Sequence, residues 1–166
     1  MTETGFVPQA RYMMRALELA AQAAAMGEVP VGAVVVQKST GRIIGEGYNR
    51  READRSPLAH AEIMAIDAAS RTLGGWRLLD SALYVTLEPC PMCAGAILHA
   101  RLEQVVYGTA DPKGGAVDSV EQLFTLPYNW TPEVYAGLLQ AECAQILRDF
   151  FRERSEERRV GKECRS

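Results

Sequence analysis

The chain has 166 residues, 48% of them hydrophobic and 23% charged, with a formal net charge of −3. This suits a single domain large enough for one core, and no apolar run nears the roughly 18 residues that a membrane span needs. The acidic total argues against a strongly basic nucleic-acid binder, so any RNA contact must come from a local basic and aromatic patch.

From Gln9 to Ala25, Tyr12, Met13, Ala16, Leu17, Leu19 and Ala20 recur at helical spacing, and Gly27 supplies a stop. The β-branched run Val31–Val36 and the segment Ile43–Tyr48 flank Ser39-Thr40-Gly41, which predicts a hairpin. Asn49 to Pro57 reads as a loop, and His60 to Leu73 as a helix ending near Gly74-Gly75. Ala82–Leu87 is almost wholly apolar and predicts a central strand. A short helix over Pro91–Ala100 and a strand over Gln104–Tyr107 follow. Gly108 to Asp118 is rich in Gly, Pro and Asp and reads as a loop. Next come a helical segment around Val120–Phe124, a turn around Pro127–Pro132 and a strand near Val134. A last helix from Leu138 to about Glu153 carries Cys143, Ile146, Leu147 and Phe150 on one side. With no internal repeat and no linker, one α/β layer structure is expected.

Thirty residues apart stand His60-Ala61-Glu62 and Pro89-Cys90-Pro91-Met92-Cys93. His60, Cys90 and Cys93 are three metal ligands, whereas a structural zinc takes four and a catalytic zinc three plus water. Cys90 and Cys93 are three apart on one helix face, at a helix start whose partial positive charge favours thiolates. Glu62 need not share the direction of His60 and can move protons at a zinc-activated water, whose pKa falls from about 15.7 toward about 7. Hydroxide addition to the amino-bearing carbon of a base, with Glu62 returning protons to the ring and to departing ammonia, makes a hydrolytic deamination. The H-x-E and P-C-x-x-C pair resembles the signature of zinc-dependent nucleobase deaminases.

Blander readings exist for each part. An isolated H-x-E is often ordinary surface chemistry, and C-x-x-C opening a helix also describes a redox pair. A structural zinc could recruit His99 or Cys143 as a fourth ligand. The expectation is instead that His99 packs on its helix and that Cys143 belongs to the core. The four cysteines do not form a disulfide framework, and no secretory signal is evident, so a reducing cytoplasm is expected.

Residues 154–166 match a translated reading frame of a common sequencing adapter, in which AGA-TCG-GAA-GAG encodes Arg-Ser-Glu-Glu. The expected division is therefore a zinc-dependent deaminase domain over 1–153 and a non-native tail over 154–166. Without that tail the chain holds 13 basic and 18 acidic residues, a net of −5. Arg158, Arg159, Lys162 and Cys164 then carry no functional argument.

Longer blocks narrow the resemblance. Glu28-Val-Pro-Val-Gly-Ala-Val34, Ile44-Gly-Glu-Gly-Tyr-Asn49, Ala59-His-Ala-Glu-Ile-Met64, Leu83 through Ala96, Asp111-Pro-Lys-Gly-Gly-Ala116 and Asp149-Phe-Phe-Arg152 resemble the bacterial tRNA-specific adenosine deaminases. The likeness spans about residues 10 to 153. It implies a three-layer α/β/α cytidine deaminase-like fold with a five-stranded mixed sheet, a homodimer, one Zn2+ per subunit, and conversion of adenosine to inosine at the tRNA wobble position. It also implies that Asn49 bonds the flipped nucleotide, that the Ala61 backbone and Glu62 read its ring edge, and that Asp111 lies in a loop at the RNA backbone. Phe151 and Arg152 would hold the anticodon loop by stacking and charge. The chain departs from the family pattern at Trp130, where histidine is usual, and at Val117-Asp118, where a small glycine-containing pair is usual. A deaminase of free guanine or cytosine, and a non-catalytic zinc-stabilised binding module, are the competing functions.

Overall fold

The computed structural model describes residues 5–163, with side chains as far as residue 161. In chain order it comprises α1 (Ala10–Ala25), β1 (Gly32–Gln37), β2 (Arg42–Tyr48), α2 (Ala61–Leu73), β3 (Ser81–Leu87), α3 (Pro91–Ala100) and β4 (Gln104–Thr109). A 3-10 turn at Leu123–Thr125, β5 (Glu133–Ala136) and α4 (Gln140–Glu163) complete it. The strands form one mixed sheet in the order β2-β1-β3-β4-β5. β1 is antiparallel to both neighbours, and β3, β4 and β5 are mutually parallel. Hence β2 to β5 all point one way and β1 alone opposes them. Their C-terminal ends open on a single end of the sheet, where the chain passes into Asn49, Cys90 and Asp111.

Alternation along the strands sets the layers. Val34, Val36, Ala82, Tyr84 and Val106 pack with Tyr12, Met13 and Ala16 of α1 and Cys143 of α4. Ala33, Val35, Leu83, Val85 and Val105 pack with Ala61, Ala65, Ala94 and Ile97 of α2 and α3. Burial on both faces is why these strands read as continuous apolar runs. The expected three-layer α/β/α arrangement is present.

α2 lies on β2 almost backbone to backbone. A Cβ at Gly47 would stand 2.3 Å from the Ala61 carbonyl oxygen, and one at Gly45 would stand 2.2 Å from that of Ala65. Glycine on the strand facing alanine on the helix fixes where α2 begins, and with it His60 and Glu62.

Two elements differ from expectation. The helical segment around Val120–Phe124 contracts to the 3-10 turn at Leu123–Thr125, short enough for i→i+3 bonding to suffice. The last helix, expected to end near Glu153, continues to Glu163, since Arg and Glu are strong helix formers and nothing in that stretch stops them. From residue 151 to 161 every side chain is exposed. Arg154 donates to the Gly27 carbonyl at 3.4 Å and sits 5.1 Å from the Phe150 ring centroid. Cys164 lies outside the described residues. Among the described residues no helix is long and apolar enough to cross a membrane.

Candidate active site

His60 is the N-cap of α2 and Cys90 the N-cap of α3, whose first residue is Pro91. Proline suits that position because its missing N–H would have had no helical partner. Two helix starts thus converge, and His60 Nδ1 lies 3.6 Å from both Cys90 Sγ and Cys93 Sγ. The ligand atoms of all three residues fall within 4.8 Å of one another. A tetrahedral zinc with bonds of about 2.3 Å to sulfur and 2.0–2.1 Å to nitrogen requires a sulfur–nitrogen separation of about 3.6 Å. The donor set fits zinc in both type and spacing. Neither His99 nor Cys143 belongs to this cluster. Cys143 is buried in the opposite layer, as expected of a core residue, whereas His99, expected to pack, is exposed on the outer side of α3.

Hydrogen bonding from Cys93 holds the Cys90 thiol down at about 4 against the cost of burial, with His60 assisting. The same bond, together with burial, pushes Cys93 up. The bond to Cys90 raises His60 despite its partial burial. A cation bound by these three donors would displace the protons they carry.

Glu62 is 4% exposed. Burial raises its carboxyl to about 7, partly offset by its backbone hydrogen bond, and the Cys90 charge pushes the same way as burial. A carboxyl poised there can both accept and release a proton near neutrality.

Asn49 follows β2 and is buried. Its Oδ1 accepts the Ala61 N–H at 3.0 Å, securing the first turn of α2. Its Nδ2 has no hydrogen-bond partner among the described residues and remains a donor. Ala61, expected to read a ring edge through its backbone, directs its N–H to Asn49.

Two buried carboxylates that sequence reasoning missed hold the adjoining loops. Glu28 accepts the N–H groups of Glu52 (3.1 Å) and Ala53 (2.8 Å). Glu88 accepts those of Asp111, Val117, Asp118 and Ser119, and the Ser119 hydroxyl. Burial opposes its ionisation, yet these donors win and its carboxyl titrates below the usual range. Asp111 is partly exposed and its Oδ1 accepts the N–H groups of Lys113 (3.2 Å) and Gly114 (3.1 Å), shaping its own turn.

Comparison with known proteins agrees with this geometry. The family model described as MafB19-like deaminase matches residues 7–155. The chain belongs to that family. This deaminase is 50% identical to the tRNA-specific adenosine deaminase of Haemophilus influenzae over 90% of its own length and 87% of the relative's. It is 48% identical to that of Bacillus subtilis, with 86% and 88% covered. Among solved structures, one from a study of A-to-I editing by tRNA:A34 deaminases at the wobble position superposes with a TM-score of 0.81. That structure is 46% identical and covers 84% of this chain and 100% of its own. The guanine deaminase from Nitrosomonas europaea superposes at 0.75, with 27% identity and 87% and 85% covered.

The positions where the deaminase departs from the family pattern have structural accounts. Trp130 packs against the α2–α3 core cluster, and its indole N–H donates to the Leu102 carbonyl at 2.8 Å. Val117 is buried in that cluster. Asp118 accepts the Tyr107 hydroxyl, and burial, with this bond assisting, raises the phenol. Phe151, on α4, is 52% exposed and meets Phe150 edge-on at 5.4 Å, while Phe150 takes the buried position. Arg152 beside it is exposed and paired with Asp149.

Proposed function

We propose that this deaminase converts adenosine to inosine at the wobble position of a tRNA, with His60, Cys90 and Cys93 holding one zinc ion per subunit. The observation that carries the reading is the 3.6 Å spacing of three ligands on two helix starts, with a buried fourth acid that is not one of them. Bound zinc supplies a water of lowered pKa. Glu62 would take one proton from the water and deliver it to the purine ring nitrogen as the C–O bond forms, then take the second from the added hydroxyl and deliver it to the amino group as the C–N bond breaks and ammonia leaves. Its burial keeps that carboxyl near the pKa such two-way transfer needs.

On the substrate side, Asn49 reads the base edge through its free amide nitrogen, which the bond from the Ala61 N–H to Oδ1 aims. Asp111 lies at the RNA backbone, and Phe151 and Arg152 supply a stacking face and a charge for the anticodon loop. The exposure of Phe151 supports that role. An anticodon loop suits the chemistry, since its bases are already unstacked and flipping costs little. A homodimer is supported by an apolar hollow on α2 and α3, formed by Ile63, Ile66, Ala96 and a Trp76 that is 55% exposed. A cytoplasmic setting agrees with free thiols at the site.

Ammonia release from a panel of substrates tests the reading. An anticodon stem-loop with adenosine at the wobble position should react, whereas free adenosine, guanine and cytosine should not. Release from guanine or cytosine with a silent stem-loop would assign the site to free bases. Silence on every substrate, with metal bound, would leave a binding module.

A further inference from the structure

We propose that Glu88 is a positioning residue that seats the loop of residues 111–119 on the turn carrying Cys90. The consequence for substrate rests on the tRNA reading of the site given above; the anchoring itself does not. Glu88 follows β3 and stands two residues before Cys90, with its side chain 2% exposed. Oε1 accepts from the Asp111 N–H (3.1 Å) and the Ser119 hydroxyl (2.5 Å). Oε2 accepts from the N–H groups of Val117 (3.1 Å), Asp118 (2.8 Å) and Ser119 (2.9 Å).

A buried carboxylate must be compensated or it costs several kcal/mol. One arginine would have sufficed for compensation alone. Here every donor comes from a single loop, and four of the five bonds come from its backbone. The carboxylate therefore specifies the path of that loop. Two further bonds secure the arrangement: Glu88 N–H donates to the Thr109 carbonyl and Ala116 N–H to the Pro89 carbonyl, each at 2.9 Å. A Cβ at Gly115 would stand 2.2 Å from the carboxylate carbon, so the loop crosses Glu88 with no side chain between. Val117, Asp118 and Ser119 deliver successive N–H groups to one oxygen, a concave backbone arrangement suited to an anion. The anion here belongs to the protein. The loop that carries Asp111 and the turn that carries a metal ligand thus share one support.

The test uses the full-length, zinc-loaded protein and Glu88→Gln. The amide keeps the shape but places an NH2 group against backbone donors. Zinc stoichiometry should stay unchanged, and the amides of residues 117–119 should exchange at least about tenfold faster. KM for the anticodon stem-loop should rise about tenfold while kcat moves less than about threefold. Unchanged exchange would overturn the anchor, and a fallen kcat at unchanged KM would show that Glu88 acts on the chemistry and not through the loop. If Glu88→Gln does not fold, Ser119→Ala serves, since it removes one donor and leaves the carboxylate. Faster exchange over 117–119 with a raised KM then supports the anchor, and wild-type values of both overturn it. Because hydrogen exchange needs no substrate, a protein inactive on tRNA but with the expected exchange change would sink the functional reading alone.

Discussion

Gly47→Ala probes whether backbone packing between β2 and α2 sets the site. The added Cβ would lie 2.3 Å from the Ala61 carbonyl oxygen, 2.7 Å from the Ala65 nitrogen and 2.7 Å from the Met64 Cβ. Two of these are backbone atoms that no rotamer change can move. Bringing the nearest contact from 2.3 Å out to the 3.0 Å floor of real Cβ contacts displaces the first turn of α2 by about 0.7 Å. That turn carries Glu62 and directly follows His60. Overpacking of this kind costs about 1–3 kcal/mol. A misplacement near 1 Å can lower the rate about a hundredfold. Urea unfolding and steady-state kinetics on the stem-loop measure both, with Gly75→Ala as control because nothing lies within 4 Å of a Cβ there. Wild-type stability and kcat in Gly47→Ala would refute the claim that this contact places the catalytic carboxylate.

Glu62→Gln should keep zinc and lose about 10²–10⁴-fold in kcat, read by inosine formation. In metal-free protein the raised Glu62 carboxyl also has a stability signature. The folded state retains its proton while the unfolded state loses it, so this group's contribution to stability is fully present below pH 4.5 and is lost as pH rises through about 7. The loss should be about 3 kcal/mol, absent in Glu62→Gln, by urea titration at pH 4.5 and 8. Asn49→Ala removes the acceptor for the Ala61 N–H; stability should fall by about 1 kcal/mol, and KM should rise as the amide donor is lost. Ending the chain after Glu153 should leave zinc content and turnover unchanged; loss of either would show that residues 154–166 matter.

Much of the fold was legible because its strands are buried on both faces and its turns are marked by glycine and proline. The P-C-x-x-C segment could be placed at a helix start because Pro91 suits the first turn. The H-x-E and C-x-x-C spacing picked out His60, Cys90 and Cys93 as candidate ligands from donor chemistry, and the folded chain brings them together. Glu28 and Glu88 were invisible for a physical reason: an acid in a sequence carries no mark of burial, and their partners are backbone N–H groups of every residue type. His99 misled because α3 is apolar nearly all round, leaving no periodicity to say which side faces solvent. The end of α4 misled because a charged stretch of good helix formers extends a helix whether or not tertiary packing needs it. Trp130 and Val117-Asp118 stood out in the sequence only as departures from the family pattern; in the fold Trp130 packs against the core cluster, Val117 is buried in it and Asp118 accepts from Tyr107.

The central claim is that these three ligands and Glu62 act on one adenosine in a folded RNA. Position-resolved inosine sequencing of full-length tRNA, incubated with zinc-loaded protein, tests it most directly. The account predicts inosine at the wobble adenosine alone and none with Glu62→Gln. Unaltered tRNA in the presence of wild-type protein, or equal conversion by Glu62→Gln, would contradict it.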